Sequence, residues 1–307
     1  MEEVTTKKIE QMNPKPPVLF APNRWRQIRK FRRFHRPTYQ LNWCAESALS
    51  GADEHFEKYL IFKRICERLI PELSKDYEEL TEKGHTEAIY SRELAAIVDS
   101  LFCELYSSVD CTRTVLGTIY KKYQGITSNS TSRLFKNASE NKIDERVPYE
   151  IRKALEDGQN DWFPTLKHIR DAINHSSIGS CSDLEGRRNG EIEPKIAYFH
   201  DRLGSKNGNI LVTDDVFKMI SEYEKKVNMF LGFVYHALNQ TLENKETTQT
   251  CGVFNHRFYQ RSVSPYEALN FHSGRCLSRE WFEKEDQPTC PYVDICGAYI
   301  KSKNTES

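Results

Sequence analysis

The sequence predicts a mainly α-helical protein with a small β-hairpin insertion and an irregular, cysteine-containing C-terminal module. Three observations predict it. Apolar residues recur at three- and four-residue spacing from about Thr86 to Tyr123 and again from Val216 to Leu238, the pattern of helices with one face in a core. Between them lie two short runs, KIAYFHDR and NILV, separated by Gly204 to Gly208, which suits a hairpin. From residue 246 onward the pattern fades, and four of the nine cysteines fall there.

The elements follow in order. Residues 1–50 read as a basic aromatic arm or irregular cap, with NPKPPVLFAPN near its start and no acidic residue between Glu10 and Glu46. Residues 51–245 form the helical domain. Phe56, Leu60, Ile61, Ile65, Leu69 and Leu73 predict a helix from Asp53 to about Leu80, kinked or ended near Pro71. Leu94, Ile97, Val98, Leu101, Leu105, Val109, Leu116 and Ile119 predict the longest helix, with Gly117 a place where it would bend. Residues 124–147 are a polar loop with room for one short helix. YEIRKALED and WFPTLKHIRDAIN each predict a short helix, Pro164 suiting the first turn of the second and Asp161 its cap. SSIGSCSDLEGRRNG is a Gly- and Ser-rich loop before the hairpin, and Thr213 opens the last long helix, which closes near Leu242. Residues 246–307 are a separate small module.

Charge and composition exclude several classes. With 44 basic and 44 acidic residues, no global excess announces a nucleic acid or a membrane, so affinity for either must come from local clustering. No window approaches the roughly 18 consecutive apolar residues of a membrane span, and the N-terminus lacks the apolar stretch of a secretory signal. A cytoplasmic protein without membrane association is expected, its cysteines reduced.

The chemistry centres on Arg170-Asp171-Ala172-Ile173-Asn174-His175. Arg29 and His35 also pair an arginine with a downstream histidine, but only the 170–175 segment closes an amphipathic helix, follows long helices, and precedes a loop, a β element and another long helix. At this motif the chain resembles the HEPN superfamily, whose signature is an arginine, a following Asn, Asp or His, and a terminal histidine. The resemblance implies a helical bundle over roughly residues 53–243. It implies a ribonuclease of the kind found in toxin–antitoxin, abortive-infection and other antiviral defence systems, one that cuts RNA without metal or other cofactor. It further implies a homodimer, with an antitoxin or sensor protein as a possible partner. The alternative is a non-catalytic HEPN-like dimer that binds RNA, a nucleotide or a protein.

The residue types suit that chemistry. An imidazole titrates near neutral pH and can accept the proton of a ribose 2'-hydroxyl or protonate a leaving 5'-oxygen, a role for His175. A guanidinium stays cationic and presents a planar fork of donors to a phosphate, a role for Arg170. Five residues apart on a helix, the two side chains diverge by about 140°, so they converge only if the helix ends before His175 or a second subunit completes the site. Asp171 and Asn174 read as orienting groups, and Glu104, an interruption in the apolar stripe of the long helix, as a carboxylate placed to orient His175 or Arg170.

Two further clusters stand outside the motif. Arg24, Trp25, Arg26, Arg29, Lys30, Arg32 and Arg33 interleave with Phe31, Phe34, His35 and Arg36, a combination that binds single-stranded RNA by phosphate contacts and base stacking, or that packs its rings on the protein and leaves its cations in water. In the tail, Cys251, His256, His272, Cys276, Cys290 and Cys296 are of zinc-ligand type, with Cys251, Cys276, Cys290 and Cys296 the best set. They lack a Cys-x2-Cys knuckle, and buried or free thiols are the expected state.

Overall fold

A computed structural model describes residues 26–126, 129–175, 178–188, 191–200, 215–254, 257–267, 272–284, 290 and 292–304. The chain is mainly helical, with two small antiparallel sheets, and divides into two compact units, Met1–Ile28 with Leu41–Val234, and Arg29–Gln40 with Tyr235–Ser307. Helix α1 spans Arg26–Phe34.

In the first unit, α2 (Trp43–Leu69) begins about ten residues before the expected start. The cause is local: the Asn42 side chain accepts a hydrogen bond from the Ala45 N–H at 2.9 Å, a helix N-cap. Pro71 stops the helix in a short 3-10 turn, Ile70–Glu72, after which α3 (Leu73–Lys83) continues. Gly84, at φ 73°, closes α3 in the left-handed conformation that glycine adopts without steric cost. Asp76 of α3 accepts from the Ser91 and Tyr90 N–H groups at 2.7 and 3.3 Å, capping α4 (Ile89–Ile119) from outside its own sequence. The α2 face Ala45, Leu49, Ala52, Phe56 and Tyr59 packs along the α4 stripe Leu94, Val98, Leu101, Leu105 and Val109, all fully buried or nearly so. Gly117 is buried inside α4, which runs through it unbroken.

The next helices are α5 (Thr131–Ser139), α6 (Tyr149–Asn160) and α7 (Phe163–Asn174). Phe135 and Phe163 stack with centroids 3.8 Å apart and planes 11° from parallel, and Trp162 and Phe230 pack around them. Pro164 sits in the first turn of α7 as expected, but Asp161 does not cap it; its carboxylate takes the Lys226 ammonium at 2.7 Å.

The hairpin exists, with different strands from those expected. Strand β1 (Ser180–Arg188), read from the sequence as loop, pairs antiparallel with β2 (Glu191–Phe199), Cys181 opposite Tyr198. KIAYF thus finds its partner upstream; NILV and Thr213 lie outside the described residues. The Ser91 hydroxyl donates to the Cys181 carbonyl, tying β1 to α4. The last long helix, α8 (Val216–Gln240), is capped by Asp215, which accepts from the Phe217 and Lys218 N–H groups at 3.1 and 3.2 Å. Within this unit Glu224 of α8 is buried and accepts from Tyr59 at 2.9 Å and from Lys63 at 2.7 Å.

The second unit is more ordered than the irregular module expected, and it draws on part of the N-terminal arm. Phe31, His35, Tyr39 and Tyr235 form its aromatic centre, with Phe31 stacked on His35 at 5.5 Å. The Glu243 N–H donates to the Thr38 hydroxyl at 2.8 Å. A three-stranded sheet follows, in the order β3 (Thr247–Phe254), β4 (Arg257–Val263), β5 (Arg275–Cys276), with a bulge between Thr250 and Gly252. Short helices α9 (Arg279–Phe282) and α10 (Gly297–Asn304) complete it.

Candidate functional site

Helix α7 places the Arg–His motif. Phe163, Leu166, Ile169 and Ala172 recur at helical spacing and are buried, which leaves Arg170 and Asp171 half-buried beside that face. There the Arg170 guanidinium carbon stands 4.9 Å from the centre of the Tyr106 ring, a cation–π arrangement. One Arg170 nitrogen donates to Asp171 at 3.0 Å, and the Lys167 ammonium takes the other Asp171 oxygen. Burial works to raise the Asp171 carboxyl, but the hydrogen bonds and charges of Lys167 and Arg170 outweigh it and hold the group below the usual range. Asp171 thus holds the Arg170 guanidinium and the Lys167 ammonium at once.

The helix ends at Asn174. His175 follows at φ −117° and ψ 15°, its backbone N–H on the Ala172 carbonyl, and both Asn174 and His175 are exposed. This departure from helical geometry is one of the two ways by which the Arg170 and His175 directions can cease to diverge. Asn174 accepts from the Cys103 thiol at 3.8 Å. Burial pushes that thiol up to about 11, with Asp99 and Glu104 adding to the rise and Arg170 opposing it.

Glu104 does not orient either motif residue. Its carboxylate is 2.5 Å from His55 Nδ1 on α2. One step of about 100° separates it from Cys103 on the helix, enough to turn it from the α7 side toward α2.

Sequence reading missed the group that anchors Gly179. Asp99 lies one turn before Cys103 and is buried; the Tyr198 hydroxyl of β2 donates to one carboxylate oxygen, and the Gly179 N–H reaches the other at 3.4 Å. Burial raises the Asp99 carboxyl above its ordinary value against the Tyr198 and Gly179 hydrogen bonds and the His200 charge. Tyr198 is raised too, by burial and then by the Asp99 charge. A Cβ on Gly179 would stand 2.4 Å from the Tyr198 ring, so only glycine fits there. The one sequence signal was an aspartate inside an apolar stripe.

The basic arm divides by residue type. Phe31, Phe34 and His35 are buried at 0%, 1% and 1% exposure, so these rings are unavailable for stacking on bases, and the stacking expectation is corrected for them. Arg33 is exposed, and Arg29, Lys30 and Arg32 are half-buried. Arg24, Trp25 and the Arg26 side chain lie outside what is described.

All nine cysteines are outside disulfides. In the second unit Cys251, Cys276, Cys290 and Cys296 line a single cavity together with Tyr259, Arg261 and Tyr299. Burial raises the Cys276 thiol, a backbone hydrogen bond from Ser278 opposes this, and the other three thiols each raise it further. As the side chains stand, no three His, Cys, Asp or Glu among the described residues are arranged to hold a metal ion. His272 accepts from the Gly297 N–H at 3.2 Å, and His256 lies outside the described residues. No described helix is long and apolar enough to cross a membrane.

Comparison of the chain with protein-family models, with curated proteins and with solved structures found no match.

Proposed function

We propose that the chain is a metal-independent endoribonuclease of the HEPN type, acting as a homodimer on RNA, in the manner of a defence or toxin effector. The observation that carries this reading is the exposed His175 imidazole immediately past the end of α7, on the same helix as an Arg170 guanidinium held by Asp171 and Tyr106. In the reaction His175 accepts the proton of a ribose 2'-hydroxyl as that oxygen bonds to the adjacent phosphorus. The bond from phosphorus to the 5'-oxygen breaks, and the leaving oxygen takes a proton from a charged imidazole, the partner subunit's copy of the same group. The products are a 2',3'-cyclic phosphate and a 5'-hydroxyl, with no redox change. Arg170 stabilises the charge that builds on the phosphoryl oxygens.

A second reading is favoured by one specific contact. Arg170 is already paired with Asp171, as expected of a HEPN-like scaffold that binds RNA, a nucleotide or a protein without cutting. Purified full-length protein incubated with total RNA in EDTA separates the two. Cleavage that leaves cyclic phosphate ends and disappears in His175→Ala supports the nuclease. Intact RNA retained on the protein, with no cleavage at any concentration, supports the binding dimer.

A further inference from the structure

We propose that Cys251, Cys276, Cys290 and Cys296 form a four-thiolate site for one zinc ion, which ties the strands of the second unit to its C-terminal helix. The four come from separate parts of the chain: β3, β5, the segment after α9, and the residue before α10. The fold nevertheless brings all of them to the wall of one cavity of about 100 Å³. That is well below the roughly 300 Å³ at which organic-ligand pockets begin, and suits an ion wrapped in its own ligands.

The donor set is selective. Four sulfurs with no carboxylate favour a thiophilic metal, and a complete Cys₄ shell leaves no open position, as in structural rather than catalytic zinc. Arg261 of β4 adds an independent observation. Its Nε–H donates to the Cys251 sulfur at 2.9 Å, another of its nitrogens lies 3.9 Å from the Cys296 sulfur, and a third donates to the Ser273 carbonyl at 2.9 Å. Four thiolates around a divalent ion carry a net charge of about −2, and a fixed guanidinium with N–H groups on the sulfurs is the outer-shell partner such a centre needs.

Closing the shell requires the four cysteine side chains to turn into the cavity that they share. A cysteine Sγ travels roughly 3 Å between staggered rotamers, comparable with the spacing of about 4 Å between sulfurs bound at 2.3 Å to one zinc. The pieces around the cavity are short, strands of 8, 7 and 2 residues and helices of 4 and 8, the kind of segments that a structural metal holds together.

The test uses untagged full-length protein kept reduced. Elemental analysis after desalting is expected to find about one zinc per chain. Metal-free protein loaded with cobalt(II) should develop the sulfur-to-cobalt charge-transfer and tetrahedral ligand-field bands of a thiolate shell. Cys276→Ser and Cys296→Ser should lose the metal, and Cys44→Ser, an exposed thiol on α2, should keep it. If the tail variants fail to fold, the wild-type cobalt spectrum decides. Absence of zinc after incubation with zinc and reductant, a cobalt spectrum without thiolate bands, iron with a visible chromophore, or full metal retention in Cys276→Ser would each overturn the proposal.

Discussion

His55 on α2 and Glu104 on α4 meet at 2.5 Å, with side-chain exposures of 29% and 17%. The pair belongs to the contact between the two longest helices of the first unit after α4's face has turned away from α7. Glu104→Gln keeps the shape and removes the charge, so it should cost about 1–2 kcal/mol of stability, read as a lower denaturation midpoint. Any RNA cleavage should continue at the wild-type rate. Loss of cleavage in a folded Glu104→Gln would return Glu104 to the site as a positioning residue.

Lys63 and Glu224 make a more deeply buried contact, the carboxylate only 4% exposed. Lys63→Met leaves that carboxylate in the interior without this cation, and should destabilise by about 3 kcal/mol. Adding Glu224→Leu removes the stranded charge and should recover most of the loss in the same urea titration. If the double variant is no better than the single one, the ion pair is not the source of the cost.

Much of the fold was legible because it is local. The α4 stripe, the amphipathic α7 and the α8 pattern are carried by residues three and four apart, and each appears within a few residues of its expected span. The early start of α2 was hidden because its apolar face continues through small residues, Ala45 and Ala52, that an eye set for large side chains passes over. The hairpin register failed for a different reason: SCSDLEGRR has turn-like composition, and its strand identity comes from pairing with KIAYF. At the site the Arg–Asp–His spacing was visible, but its supports were not. Tyr106 lies 64 positions from Arg170, and Tyr198 is 99 from Asp99; nothing local records such partners. The four tail cysteines were nameable as a set, and only the fold brings them to one cavity.

Gly158 tests the aromatic cluster. In an exposed helix interior, glycine to alanine would stabilise by roughly 1 kcal/mol. Here a Cβ would lie 2.6 Å from the Phe135 ring and 3.3 Å from Trp162, and that ring is already stacked on Phe163 and cannot retreat freely. Gly158→Ala should therefore destabilise, by about 1–3 kcal/mol. A raised melting temperature would show that the stack yields more easily than its packing implies.

Asp99 makes stability depend on pH in a set direction. Burial raises its carboxyl above the ordinary 3.8, so the folded chain keeps this proton to higher pH than the unfolded chain does. The resulting contribution is fully present below 3.8 and is lost as pH rises through the folded value. Asp99→Asn cannot titrate. The difference between its urea midpoint and the wild type's should therefore shift in the variant's favour as pH increases from 3.8, and then level off. A difference that does not vary with pH would mean that the folded and unfolded states bind this proton alike.

His175→Ala separates chemistry from structure most cleanly. The ring is exposed and lies past the last helical residue, so its removal should open no cavity among the described residues; the melting temperature should move by no more than a few degrees. The backbone N–H to the Ala172 carbonyl survives any side chain, which preserves the helix end. Loss of a proton-transfer group costs about 10²- to 10⁴-fold in rate, enough to remove cleavage from a gel assay in EDTA. Arg170→Ala should also reduce activity, but it leaves Asp171 with Lys167 alone and uncovers Tyr106, so its stability will fall as well. Wild-type cleavage by a folded His175→Ala would make the motif a coincidence of spacing. A variant that melts many degrees lower would show that the histidine supports the α7 end, and the binding reading would then take the place of the nuclease.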